Sequence, residues 1–234
     1  MSTIGGGVST VAPLEEGASR CKVIRIVDET HDVKSFWLHV LDDPAFTFHP
    51  GQWVDTFIPG LATVGGFSLA SPPSLVAKDG VFQLTVKMAD HPPARWLHSQ
   101  DCKVGTELQV RVGGDVYLPE DRLAGKAVLL IGGGIGITPL YSMLQDICDG
   151  IGCGEPAADH VGLLYSSKAP SDVLYTETLA GLSAAHGDRV DIDVLASAVG
   201  GEPLGPGMRH GRIDEEVLVQ ALQKLQSKMG SQPT

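Results

Sequence analysis

The chain is short of cations and of long apolar runs, and each shortage excludes a class of function. Against 28 Asp and Glu stand 17 Lys and Arg, a formal net charge of −11. A protein that grips a phosphate backbone needs a basic face, which this balance does not advertise, so no nucleic-acid partner is expected. No apolar stretch approaches the roughly 20 residues that cross a bilayer, so no membrane span is expected. Cys21, Cys102, Cys148 and Cys153 are too scattered for a zinc site or a disulfide framework, and the histidines lack ligand spacing. No metal is expected, and reduced thiols fit an intracellular protein. There is no Gly-x-Ser-x-Gly elbow and no Walker lysine, which removes hydrolase chemistry of that type and P-loop chemistry. Residues 1–17 carry no basic side chain and no apolar core, and read as a flexible tail, neither a signal nor a transit peptide.

What is present is globular: 43% hydrophobic and 19% charged residues suffice to bury a core. Residues 18–120 show short alternating runs separated by turn residues. Phe82, Leu84, Val86 and Met88 alternate with Gln83, Thr85 and Lys87, and Leu108, Val110 and Val112 with Glu107, Gln109 and Arg111. With candidates at 22–27, 35–41, 52–58 and 66–70, these half-buried strands predict a small antiparallel β-barrel. The one helical interruption is expected at 94–99, after His91-Pro92-Pro93, where His98 reads as a capping or surface group.

Residues 121–234 change pattern, with strands at 128–131, 161–165 and 190–195 alternating with helices from 140, over 172–185 and from a cap at Asp214. Leu140, Met143, Leu144 and Ile147 form one apolar stripe, and Asp149-Gly150 is read as the start of its end. The segment 197–210, rich in Gly and Pro, reads as loop. The fold class is therefore two-domain: an antiparallel β-barrel followed by a doubly wound α/β nucleotide-binding half.

The motif that carries chemistry is VLLIGGGIGITPL over residues 128–140. An apolar strand runs into Gly132, Gly133, Gly134, Ile135, Gly136, Ile137, Thr138 and Pro139, with Thr138 as the expected N-cap and Pro139 at N1. Glycines let a ligand approach the backbone, and the free N–H groups of a helix start suit a diphosphate. Ser166, Ser167 and Lys168 follow the second strand of this half, where a ribose or 2′-phosphate sits in such folds. The lack of an arginine there favours NAD, while Lys168 keeps NADP open.

Gly51-Gln52-Trp53-Val54, Phe67-Ser68-Leu69-Ala70-Ser71-Pro72 and the glycine turn together resemble the ferredoxin–NADP reductase superfamily over about residues 20–225. Val64-Gly65-Gly66-Phe67-Ser68, His91-Pro92-Pro93-Ala94 and Arg111-Val112-Gly113-Gly114 look closer still to a vertebrate branch of it. The resemblance implies FAD on the barrel, with Phe67 against the isoalloxazine, the Ser68 hydroxyl near its reactive nitrogen as the catalytic group, and Ser71 beside them. It implies a nicotinamide dinucleotide at the turn and a mitochondrial location. The implied activity is hydride passage from that dinucleotide to the flavin and then to an unknown electron acceptor; the alternative is a non-catalytic NAD(H) sensor or scaffold. Three departures stand out. Gly65 replaces the family's arginine, an interaction of roughly 1.5–3 kcal/mol per charged hydrogen bond. Pro93-Ala94 replaces its second phosphate element. The family's last two strands, with a Cys-Gly-Pro turn, do not follow the final helix, so the fold reads as C-terminally truncated relative to the family, with the strand at 128–131 left as an edge.

Overall fold

The computed structural model describes residues 14–119, 123–154, 158–197 and 203–229. All six expected barrel strands form: β1 (Ser19–Asp28), β2 (Val33–Val40), β3 (Trp53–Phe57), β4 (Gly65–Ser68), β5 (Val81–Lys87) and β6 (Glu107–Gly113). Their order is β4-β3-β6-β1-β2-β5, antiparallel throughout, and a bridge between Leu69 and Leu84 joins the two ends into a barrel. Val23, Phe36, Leu38, Val54, Phe82, Leu84 and Val110 fill it. Burial of such side chains is the main stabilising term, about 1.5–3 kcal/mol each before entropy is subtracted.

Two helices punctuate the barrel where one was expected. α1 (Pro73–Asp79) and α2 (Pro92–His98) both begin on proline, whose fixed φ and missing N–H are harmless at a first helical position. The doublet Pro72-Pro73 is thus a helix entry as well as a boundary. Residues 14–17 are not loose. Glu15 N–H donates to Gln109 Oε1 at 2.7 Å and Arg111 Nη1 to the Glu16 carbonyl at 3.3 Å, pinning them to β6. The remainder of the expected tail, residues 1–13, lies outside the described residues.

The second half is a parallel sheet of order β10-β9-β8-β7, built from β7 (Ala127–Gly133), β8 (His160–Ser167), β9 (Val190–Ala196) and β10 (Met208–His210). β7 is an edge, and Ile131 on it is exposed. Leu130, Leu163, Tyr165 and Val194 face α3 (Ile137–Cys153) and α4 (Thr176–His186), whereas Leu164 and Leu195 face α5 (Glu215–Met229), so helices cover both sides. β10 corrects the expected loop, of which residues 198–202 lie outside the described residues. Three residues are too short to show a period. α3 runs past Asp149-Gly150 to Cys153 and ends at Gly154, φ 72°. α4 starts later than expected. A 3-10 turn at Pro170–Asp172 and Tyr175 at φ 60° precede it.

What fixes one half on the other is β5, which is buried on both faces. Phe82, Leu84 and Val86 point into the barrel, while Gln83 and Thr85, expected to be solvated, are covered by the α/β half. Gln83 Nε2 donates to Ser35 Oγ at 3.0 Å, Ser35 and Thr85 hydroxyls meet at 2.8 Å, and Gln83 N–H donates to Ser71 Oγ at 3.0 Å. From the other side Ser142 Oγ donates to the Ser71 carbonyl at 2.7 Å and Gln145 Nε2 to that of Ala70 at 2.9 Å. Each satisfied group avoids the roughly 1–3 kcal/mol cost of a buried orphan.

Candidate functional site

The fastening of α3 to the Ala70 and Ser71 carbonyls leaves a cleft of about 720 Å³ between the halves, at the carboxyl ends of the parallel strands, where open α/β sheets take ligands. Its floor is the end of β7 and the turn after it: Ile131, Gly132, Gly133, Gly134 and Ile135. Ser166, Ser167 and Lys168 form one side, and Ser197, Arg212 and Ile213 the next. The barrel supplies the opposite wall with Thr30, Asp32, Val33 and Lys87. Burial works to raise the Asp32 carboxyl, but the Lys87 ammonium at 3.0 Å and the Thr30 hydroxyl outweigh it and hold it below the ordinary value.

The glycine turn is tighter than expected. Residues Gly134–Gly136 form a 3-10 turn that leads directly into α3. Thr138 therefore sits inside the helix, not at its cap, and its hydroxyl donates back to the Ile135 carbonyl at 2.8 Å. Pro139 is the third residue of α3, and with no N–H of its own it leaves the Ile135 carbonyl to the Thr138 hydroxyl. Ile137 and Thr138 are buried as anchors, and Gly133 and Gly136 are exposed. A Cβ added at Gly134 or Gly136 would meet no heavy atom within 4 Å, so open space lies over the turn. At Gly132 it would come within 2.7 Å of Leu140 Cδ1, so that glycine serves the packing of α3 on β7. The N–H groups at the start of a helical turn have no intrahelical acceptor, and with the dipole they make an anion seat.

Lys168 and Arg212 give the cleft its positive charge; neither has an ion-pair partner among the described residues. Asp32 and Asp172 also line it; Asp32 is engaged with Lys87, and Asp172 lies 3.6 Å from the exposed His31 ring. Arg212 was invisible as a site residue in the sequence, because the strand that delivers it, β10, has no pattern of its own. The nicotinamide dinucleotide fits the residues present: exposed glycines for the diphosphate, the half-buried Ser166 for a ribose and unpaired cations for added phosphate.

Phe67, Ser68 and Ser71, the residues expected to meet a flavin, do not line this cleft. Ser71 is buried, with its hydroxyl and carbonyl bonded to Gln83 and Ser142. Phe67 packs against the barrel core, and the half-buried Ser68 hydroxyl has no partner among the described residues. FAD does not fit the phosphate element of the barrel, because a Cβ at Gly65 would fall 2.5 Å from Phe67 Cε2 and 2.7 Å from Pro93 Cβ. The side chain that should reach a flavin diphosphate has no room. His98 is structural, its Nε2 2.9 Å from the Val86 carbonyl oxygen. Among the described residues no group of three His, Cys, Asp or Glu is placed to hold a metal, and no helix is long and apolar enough to cross a membrane.

The profile of the oxidoreductase NAD-binding domain matches residues 130–231. Oxidoreductase NAD-binding domain-containing protein 1 of Danio rerio is 38% identical over 204 residues, 84% of this chain and 75% of that protein. The Bos taurus protein of that name is 41% identical over 176 residues, 72% of this chain and 56% of that protein. Among solved structures, a ferredoxin–NADP+ reductase from Neisseria gonorrhoeae with bound FAD and NADP superposes with a TM-score of 0.69 at 17% identity. It covers 94% of this chain and 82% of its own.

Proposed function

Because this chain belongs to the family of oxidoreductase NAD-binding domain-containing protein 1, we propose that it binds a nicotinamide dinucleotide across the cleft at the carboxyl ends of β7 and β8. The diphosphate lies on the turn at Gly134 to Gly136, and the adenosine ribose lies beside Ser166. Lys168 and Arg212 set the preference between NADPH and NADH, since a 2′-phosphate beside unpaired cations gains charge-assisted hydrogen bonds that a hydroxyl does not. One observation carries this reading: at the strand-to-helix turn that floors the cleft, a Cβ at Gly134 or Gly136 would meet no heavy atom within 4 Å. When bound, the nicotinamide supplies a hydride at its ring carbon; the chain's own part is to bind, orient and shield. Titration of purified protein with NADH and NADPH, followed by cofactor fluorescence and reversed by ADP-ribose, tests it. Absence of saturable binding in folded protein refutes it.

A second reading, a flavin oxidoreductase with the ring on Phe67 and Ser68 and an electron acceptor beyond, has one observation in its favour, the unpartnered hydroxyl of Ser68. Yellow protein bleached by NADH without oxygen supports this reading. Colourless protein that binds NADH leaves the first reading alone, as a sensor or scaffold.

A further inference from the structure

We propose that the barrel has replaced a flavin diphosphate seat with a hydrophobic plug, so that this chain holds one dinucleotide, at the glycine turn, and gives FAD no advantage over riboflavin at the barrel. The loss of the flavin seat stands on the barrel alone, whereas the single dinucleotide at the turn rests on the function proposed above.

A diphosphate seat needs donors, a cation and space, and all three are withdrawn in the region between β4 and α2. Space is lost first. Gly65 is buried, and its missing Cβ is crowded by the Phe67 ring on one side and Pro93 on the other, at 2.5 and 2.7 Å. Contacts that close mean that ring and proline are seated on the bare Cα; any longer side chain there must displace both. Donors are lost next. α2 opens with Pro92 and Pro93, which have no N–H, and the Arg95 N–H is already given to the His91 carbonyl at 3.0 Å. That leaves Ala94, itself 2% exposed, as the one first-turn donor, against the four that a helix start ordinarily offers. The cations are spent elsewhere. The Arg95 guanidinium is paired with Asp90, and Arg111 on β6 holds Asp55 through two hydrogen bonds at 2.6 and 3.2 Å.

The neighbouring face of the barrel is closed in the same manner. The Trp53 indole lies over β4 and β6, so that a Cβ at Gly114 would fall 2.6 Å from Trp53 Cδ1 and one at Gly113 3.2 Å from Cη2. Gly65, Gly113 and Gly114 are thus glycines against which an aromatic ring rests, whereas Gly134 and Gly136 have nothing above them. The same residue type serves packing in one half and an opening in the other.

The test compares FAD, FMN and riboflavin by quenching of flavin fluorescence on wild-type protein and on Gly136→Asp, with the flavin content of freshly purified protein measured after heat release. Affinities for the three flavins within about threefold of one another support the proposal, as does no saturable binding of any of them. FAD bound at least tenfold tighter than riboflavin in both proteins, or released stoichiometrically from both, overturns it. Selective FAD binding or retention by wild type that Gly136→Asp abolishes assigns the diphosphate to the turn and leaves the barrel without a seat, as proposed. NADH titration of the wild type reports separately on the cleft.

Discussion

Gly136→Asp separates ligand repulsion from protein stability because the two effects have opposite signs. Gly136 has φ −65° and ψ −6°, ordinary helical values, and a Cβ there meets no heavy atom within 4 Å. Replacing glycine at a compatible position lowers the entropy of the unfolded chain, worth about 0.4–1 kcal/mol, and a carboxylate in the first helical turn gains about 0.3–1 kcal/mol from the dipole. The free protein should therefore melt about 1–8 °C higher. Toward a diphosphate the same carboxylate, at about 4 Å in a medium of effective dielectric 20 to 80, costs about 1–4 kcal/mol per unit charge. NADH affinity should fall roughly tenfold to a thousandfold. Gly136→Ala, which adds bulk without charge, should lose far less. Differential scanning fluorimetry and NADH fluorescence titration on the three proteins make the comparison. An aspartate variant that is folded and binds NADH as wild type does would refute the seat at the turn, and one that melts lower would refute the claim of open space.

The double variant Lys168→Ala/Arg212→Ala should lose NADPH affinity by about tenfold or more, since a charged hydrogen bond is worth about 1.5–3 kcal/mol, while NADH affinity moves less than about threefold; equal losses for both would remove the two cations from the 2′ position. Ser142→Ala leaves the buried Ser71 carbonyl without its donor at 2.7 Å, a cost of about 1–3 kcal/mol. The melting temperature should drop by about 2–4 °C for each of these; an unchanged melt would mean that water replaces the hydroxyl. Burial pushes the Cys102 thiol from 9.0 up to about 11, the Cys148 thiol from 9.0 up to about 12 and the Tyr165 phenol from 10.0 up to about 12. The fold keeps these protons when the unfolded chain gives them up, so stability is fully present below pH 9 and declines as pH rises from 9 toward 12. Urea midpoints across that range check it, and a flat profile would contradict the burial of all three.

Much of this arrangement was legible because its signals are local. The glycine run after an apolar strand announces a turn before a helix whatever surrounds it, and alternation in β5 identifies Phe82, Leu84 and Val86 as core. The rest depends on what lies across from an element. Alternation reports one buried face, so Gln83 and Thr85 read as solvated until α3 is laid over them. Arg212 reaches the cleft through β10, a strand of three residues that makes sense only beside β9. The lost arginine at Gly65 was readable, but its replacement by Phe67 and Pro93 is a matter of two segments meeting, β4 and α2. Thr138 was misassigned for a related reason: the 3-10 turn starts the helix early, and nothing in the residue types distinguishes that from a capped start.

A wall shared by two rooms cannot be knocked down for either tenant. Val33 and Ala70 come from the barrel yet belong to the same apolar cluster as Ile137, Tyr141 and Leu144. The two halves are thus not interchangeable parts: grafting this nucleotide unit onto a homologous barrel would expose surface tailored to one neighbour, whereas nicking the connection between Gly113 and Ala127 would leave that surface covered. Fragments from such a nick should stay together and melt as one body.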